Sequence, residues 1–272
     1  SSIAEQLKSR VQSIELFSSG VERFIYGLAK KMLIANPLGY IADSVFGLPS
    51  GDLTLMTAWL GVLCYALQIY FDFSGYSDMA IGLGRMLGFR FRENFNFPYV
   101  ATSIREFWQR WHISLSSWFR DYVYSPLGGN RHGRLTTTRN LVIVYLVCGL
   151  WHGASWNFVI WGLLHGAFLA LERGSWGKVL HSLPRVFQHM YVSMIILSTF
   201  VFFRAETLES SLGYLTAMFS WDNGLAIHTR IAIELDIEFY FTLCLGILIS
   251  TPIFGYVSDH LSYKRLTGWG GA

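Results

Sequence analysis

Charge is scarce in this chain. Charged residues fill 14% of its 272 positions, whereas a soluble domain carries about 25%. Cysteine is scarcer still. Cys64, Cys148 and Cys244 all lie in apolar runs, far apart, which argues against a disulfide framework and a zinc site. No metal site is expected. The signatures of soluble enzymes are missing as well: there is no GxSxG, HExxH, Walker A or GxGxxG string. The chain opens on Ser1 and Ser2 rather than Met, with no basic region ahead of an apolar one. A signal peptide is therefore not expected. The chain reads as a fragment of a longer protein whose earlier spans are missing.

What is present is apolar and aromatic. Hydrophobic residues make up 52% of the chain and aromatics 17%, with 10 tryptophans. A bilayer core about 30 Å thick needs roughly 20 apolar residues in a helix. Leu53 to Phe71 holds no charge and is closed by Asp52 and Asp72, which predicts a span. Phe239 to Val257 predicts another, with Pro252 near its end. Val186 to Phe203 predicts a third, ending at Arg204. Leu141 to Leu171 is one uncharged run of 31 residues, too long for one upright span and short for two. Gly149, Gly153 and Gly162 interrupt it. It reads as two helices broken near Trp151 to Ser155, or as one span plus a re-entrant piece. Such broken backbone is tolerated at membrane depth only inside protein or beside a water-filled cavity. Phe24 to Phe46 is apolar but holds Lys30, Lys31 and Pro37, which predicts a kinked or interfacial helix. Tyr76 to Phe91 is a weaker, glycine-rich segment. The fold class is therefore all-α: a multi-pass transmembrane helical bundle with interfacial and re-entrant helices, forming one membrane-embedded domain over residues 1–272.

Gly84 to Asn140 differs from its surroundings. It contains nine arginines against three acids, Glu93, Glu106 and Asp121. A Lys/Arg excess between spans marks the cytoplasmic side. The net charge of +3 thus reflects topology, and no nucleic-acid-binding motif accompanies the arginines. Within this stretch the spacing predicts an interfacial helix over Ser103 to Tyr122. Ser103 is its N-cap candidate, with Glu106 three residues on. Glu106 can pair with Arg110. Pro126 to Gly133 is dense in turn formers and predicts a loop.

The chemistry must come from isolated polar residues in apolar settings. His152 stands in Gly149-Leu150-Trp151-His152-Gly153-Ala154-Ser155-Trp156-Asn157. An ionisable residue inside a span is a functional candidate, and a neutral imidazole can take a proton from a hydroxyl. The alternative is a buried histidine bonded to a carbonyl in the helix break. His112 shares a helix face with Trp108, Leu115 and Phe119; spacing alone reads it as an interfacial histidine. His165 reads as packing. Cys148 lies four residues before His152, where a small apolar residue is the simpler reading than a thiolate partner. Asp72 and Asp78 bracket Ser74 and Tyr76 at the end of the first span. They line a polar cavity, orient a histidine or bind a cation, or they merely cap a hydrated helix end.

Several ordered strings carry a resemblance. They are Gln68-Ile69-Tyr70-Phe71-Asp72-Phe73-Ser74-Gly75-Tyr76-Ser77-Asp78, Glu93 to Tyr99, Glu106-Phe107-Trp108-Gln109-Arg110-Trp111-His112, Trp118 to Tyr122, Pro126 to Arg131, Trp151-His152-Gly153-Ala154 and Val201 to Ala205. Together they resemble the membrane-bound O-acyltransferase family, and most of all its bacterial alginate O-acetylation branch, over about 21–219. The resemblance implies a helical bundle with a cytoplasmic and an extracytoplasmic funnel meeting at a buried histidine. It implies His152 as the catalytic histidine and His112 as the second one. It also implies an acyl-CoA donor, usually acetyl-CoA, with no bound cofactor. The acceptor side would hold a periplasmic partner acyltransferase and a polysaccharide, and the setting would be the lipid of the bacterial cytoplasmic membrane. Asp72, Ser74, Tyr76, Asp78, Trp108, Trp111 and Asn157 are the candidate pore-lining or substrate-binding residues. Two rival readings are a transporter of polar solutes through His152, Asp72 and Asp78, and a non-catalytic membrane scaffold for a partner enzyme.

Overall fold

The computed structural model describes residues 2–10, 12–221 and 224–253. Among the described residues every regular element is helical. The N-terminal part holds α1 (Ser2–Lys8), α2 (Ile14–Ala29), a π-helical segment (Lys30–Ala35) and α3 (Asn36–Phe46). The long α4 (Leu55–Met86) follows. Short α5 (Ile104–Arg110), α6 (Ile113–Phe119) and a second π-helical segment (Arg120–Tyr124) lead to α7 (Gly133–His152). Then come α8 (Trp156–Glu172), α9 (Ser175–Ser182), α10 (Arg185–Arg204), α11 (Leu208–Phe219), α12 (Thr229–Glu234) and α13 (Ile237–Ile249).

α4 is the axis of the fold. It packs against α2, α3, α10 and α11, and Val62, Cys64 and Phe71 on it are fully buried. Glycines set its approach to α2. A Cβ on Gly27 would lie 2.5 Å from the Gly75 carbonyl, and one on Gly82 would lie 2.6 Å from the Gly20 carbonyl. Only glycine lets the two backbones come this close.

By length and composition, two of the described helices, α4 and α10, can cross a membrane. α10 matches the predicted Val186 to Phe203 span. α4 corrects an expectation. Its 32 residues rise about 48 Å, so it runs straight through Asp72, Asp78 and the segment predicted as separate from Tyr76 onward. A bare carboxylate is costly in lipid, which is why the sequence pattern ends the span at Asp72. Here each carboxylate has a cation. The Asp78 carboxylate accepts from Arg23 Nε at 2.9 Å, Arg23 Nη2 at 2.6 Å and Lys30 Nζ at 2.6 Å, and Asp72 accepts from Lys31 Nζ. The two lysines lie on the predicted kink of the Phe24–Phe46 segment, which is the π-helical turn. The predicted Phe239–Val257 span is helical up to Ile249, within α13, and its residues 254–257 lie outside the described residues.

The predicted Ser103–Tyr122 helix is broken. Ser103 does cap it, its Oγ accepting from the Glu106 N–H at 3.0 Å, and Glu106 does accept from Arg110 Nε at 2.9 Å. Burial pushes the Glu106 carboxyl up, but hydrogen bonds from Thr102 and Arg110 outweigh it and hold the group below its usual value. The helix then stops at Trp111, which is extended, and His112 takes a left-handed conformation with φ 45°. The strand of loop from Asn94 to Asn96 causes this. Asn96 N–H donates to the Arg110 carbonyl at 2.9 Å, and Ile113 N–H donates to the Asn94 carbonyl at 2.9 Å. These bonds satisfy backbone groups that the break would otherwise orphan.

The apolar run from Leu141 to Leu171 is divided as expected, with α7 ending at His152 and α8 starting at Trp156. Pro126 to His132 is a series of turns. Asn140 Nδ2 donates to the carbonyls of Leu127 and Gly129, both at 3.0 Å, and anchors it.

Candidate active site

The pairing of α7 with α8 places His152. A Cβ on Gly149 would lie 2.2 Å from the Phe158 carbonyl, and one on Gly162 would lie 2.2 Å from the Tyr145 carbonyl. The helices therefore touch backbone to backbone just before the break. At the break, Ser155 Oγ accepts from the Asn157 N–H at 3.3 Å and starts α8. Asn157 Nδ2 donates to the Ala205 carbonyl at 2.7 Å, which ties α8 to the end of α10. That end carries Phe203. The His152 ring then stands edge-on to Trp161 of α8, with centroids 5.1 Å apart, and to Phe203 at 5.0 Å. Replacing Gly149 by valine would drive a methyl into a carbonyl that cannot move alone. The expected cost is about 2 kcal/mol, measurable as an earlier thermal unfolding midpoint of the detergent-solubilised protein.

His112 is placed by the helix break described above. Its Nδ1 donates to Asn94 Oδ1 at 3.3 Å, and the same oxygen accepts from the Ser114 N–H and Oγ, both at 3.0 Å. This choice of tautomer leaves the Nε2 lone pair free to accept a proton or a hydrogen bond. Phe73 of α4 stands edge-on to the ring at 4.6 Å. A non-glycine residue with positive φ costs free energy, and such residues cluster at functional sites.

Both histidines line one cavity of about 360 Å³. Its walls are mostly apolar and aromatic: Ile69, Phe73, Trp108, Trp111, Trp161, Phe200 and Phe203 all contribute. Lys31, Asp72 and Tyr76 supply the other polar groups, and Tyr76 is exposed at 64%. His112 and His152, 40 positions apart in sequence, thus share a mostly apolar-walled space with an exposed, ion-paired edge.

Seven residues were candidates for lining beside the histidines. Asp72, Tyr76, Trp108 and Trp111 do line the histidine cavity. Ser74 and Asp78 face another cavity, of about 1030 Å³, together with Arg23 and Lys30. Asn157 lines neither and is the tie to Ala205. Three contributors are not among those candidates: Lys31 and Trp161, which line the cavity, and Asn94, which holds His112. Lys31 carries a signal, a charge in an apolar run, but that signal points equally to a kinked or an interfacial helix. Asn94 lies inside the Glu93–Tyr99 string.

The chain belongs to the membrane-bound O-acyltransferase family, whose family model matches residues 2–205. Among curated relatives, it is 49% identical over 219 residues to a probable alginate O-acetylase AlgI of Azotobacter vinelandii, covering 80% of this chain and 44% of that protein. It is 44% identical over 202 residues to a peptidoglycan O-acetyltransferase of Helicobacter pylori, covering 73% and 38%. A teichoic acid D-alanyltransferase of Bacillus subtilis is 27% identical over 201 residues, covering 70% and 50%. The chain spans half or less of the length of these relatives.

Proposed function

We propose that the full protein is an O-acyltransferase of a bacterial cytoplasmic membrane, crossing it several times. It moves an acyl group, acetyl in this reading, from a cytoplasmic acyl-CoA thioester across the membrane toward a hydroxyl of a cell-surface polysaccharide. A periplasmic partner acyltransferase completes the delivery. The observation that carries this is that His152 and His112 line the same aromatic-walled cavity. The relatives' names, a probable alginate O-acetylase, a peptidoglycan O-acetyltransferase and a teichoic acid D-alanyltransferase, support the substrate class.

The proposed step needs a base beside a hydroxyl and a site shielded from water. His152 takes the proton of the acceptor hydroxyl. The oxygen attacks the thioester carbonyl, a C–O bond forms, and the C–S bond breaks. The leaving thiolate recovers the proton from the imidazolium. His112, held by Asn94, orients the donor or relays a proton. Arginines between the spans suit the phosphates of a CoA.

The test uses the full-length parent protein in membranes with its partner and acetyl-CoA labelled on the acetyl group. Label in the extracytoplasmic product is expected. No label in any product would sink the reading, and passage of an unmodified solute would favour transport instead. Within the same assay, His112→Ala is expected to lose about 100-fold in rate, the lower range for a proton-handling group. Unchanged transfer would mean that His112 only builds the wall.

A further inference from the structure

His165 is fully buried and has no part in the step above. It lies on α8 one turn beyond Trp161, with ring centroids 5.0 Å apart. Its Nδ1 accepts a hydrogen bond from Trp108 Nε1–H at 3.3 Å. Its proton is therefore on Nε2, and Nε2 has no hydrogen-bond partner among the described residues. An unpartnered buried donor is costly. A phenylalanine would pack against the same indoles without that cost, so what the imidazole adds is the acceptor at Nδ1.

What it holds is a partition. Trp108 and Leu115 line the histidine cavity, and they also line a second cavity of about 330 Å³. That second cavity is bounded further by Arg105, Gln109, Tyr145 and Cys148. The Trp108 indole is steadied edge-on by Tyr145 at 5.2 Å and by Trp161 at 5.8 Å. Ring packing restrains its tilt, and among the described residues the directional contact of its N–H is the hydrogen bond to His165.

We propose that His165 is a positioning residue: it fixes the Trp108 indole as the wall between the His152 cavity and the second cavity, and so keeps water from the thioester carbonyl. The proposal rests on the acyltransferase reading above. With the indole fixed, the acyl carbon at His152 meets the acceptor hydroxyl. With it released, the cavities join and water competes. Water oxygen then bonds to the carbonyl carbon, the C–S bond breaks, the thiol keeps one proton of the water, and free acid leaves.

The experiment follows acetyl-labelled acetyl-CoA in the full-length parent protein with its partner, and reads free acetate against acylated product. His165→Leu is expected to raise that ratio about tenfold, the scale of one hydrogen bond. His165→Asn, whose Oδ1 falls near the Nδ1 position, is expected to restore it. Trp108→Phe, lacking the N–H, raises the ratio alone, and adding His165→Leu to it changes nothing further. If His165→Leu does not accumulate, His165→Gln replaces it, since its carbonyl falls near Nε2 and misses the indole. An unchanged ratio in a folded variant without the acceptor, or full additivity with Trp108→Phe, overturns the proposal. A second readout needs no acyl transfer. In 5-fluorotryptophan-labelled protein, the fluorine signal that vanishes in Trp108→Phe is expected to shift or broaden in His165→Leu and to stay in His165→Asn. A signal indifferent to His165 overturns the clamp. A wild type that transfers no label while showing the clamp overturns the acyltransferase reading alone.

Discussion

Replacing His152 by alanine in the full-length parent protein is expected to cut acyl transfer by about a thousandfold, within the range for removing a general base. The protein should remain in the membrane at wild-type abundance. The ring is half-buried at the end of α7, and its neighbours are the edges and faces of Trp151, Phe158, Trp161 and Phe203. Those rings pack on one another as well: Trp161 and Phe203 lie 5.3 Å apart and Phe158 and Phe203 5.2 Å apart. The wall therefore survives the loss of the imidazole. His152→Gln separates chemistry from packing, because it keeps size and a polar end but cannot take a proton. It is expected to be as inactive as alanine. The measurement is label from acetyl-CoA in the extracytoplasmic product at matched protein abundance. Transfer at the wild-type rate in either variant would make His152 a structural residue and move the base elsewhere.

The site was legible where its cause is local. Gly149, Gly153 and Gly162 punctuate an uncharged run, and the helix does break after His152, with Ser155 capping the next one. The Glu106–His112 string of the resemblance includes Trp108 and Trp111, and both line the cavity; helix-period spacing places Trp108 on α5. It failed at His112, because the loop from Asn94 to Asn96 takes the backbone bonds of residues 110 and 113, and no local propensity records such a distant partner. It failed at Asp72 for a related reason. A carboxylate ends a span only if nothing neutralises it, and Lys31 does so from 41 positions away. The same arithmetic explains Asp78, which was grouped with Asp72 by proximity in sequence. Six residues further along α4 it faces α2 and a different cavity. Asn157, adjacent to the histidine motif, turned out to hold the wall together rather than line it.

Asp78 gives the largest expected effect on stability. Its side chain is 7% exposed, and it neutralises Arg23 and Lys30, each about a quarter exposed, from opposite oxygens. Removing one partner of a buried pair leaves the other charge desolvated and unpaired, at about 3–5 kcal/mol. Asp78→Ala does this to two cations at once, although Glu93 still accepts from Arg23. Their partial exposure offsets some of the cost, so the lower end, about 3 kcal/mol, is expected. The α2–α4 crossing lies at the same place, where Gly27 meets Gly75 and a Cβ would touch Asp78 itself at 2.9 Å. Loss of the carboxylate thus loosens the contact that seats the π-helical turn and, with it, Lys31 at the edge of the histidine cavity. Asp72→Asn is the control. That pair is 42% and 49% exposed, and such pairs contribute about 0–1 kcal/mol. Thermal unfolding of the detergent-solubilised parent protein should show a clearly lower midpoint for Asp78→Ala and little change for Asp72→Asn. Equal midpoints for the two would mean that the Arg23–Asp78–Lys30 cluster is solvated in the assembled protein and contributes no more than a surface pair.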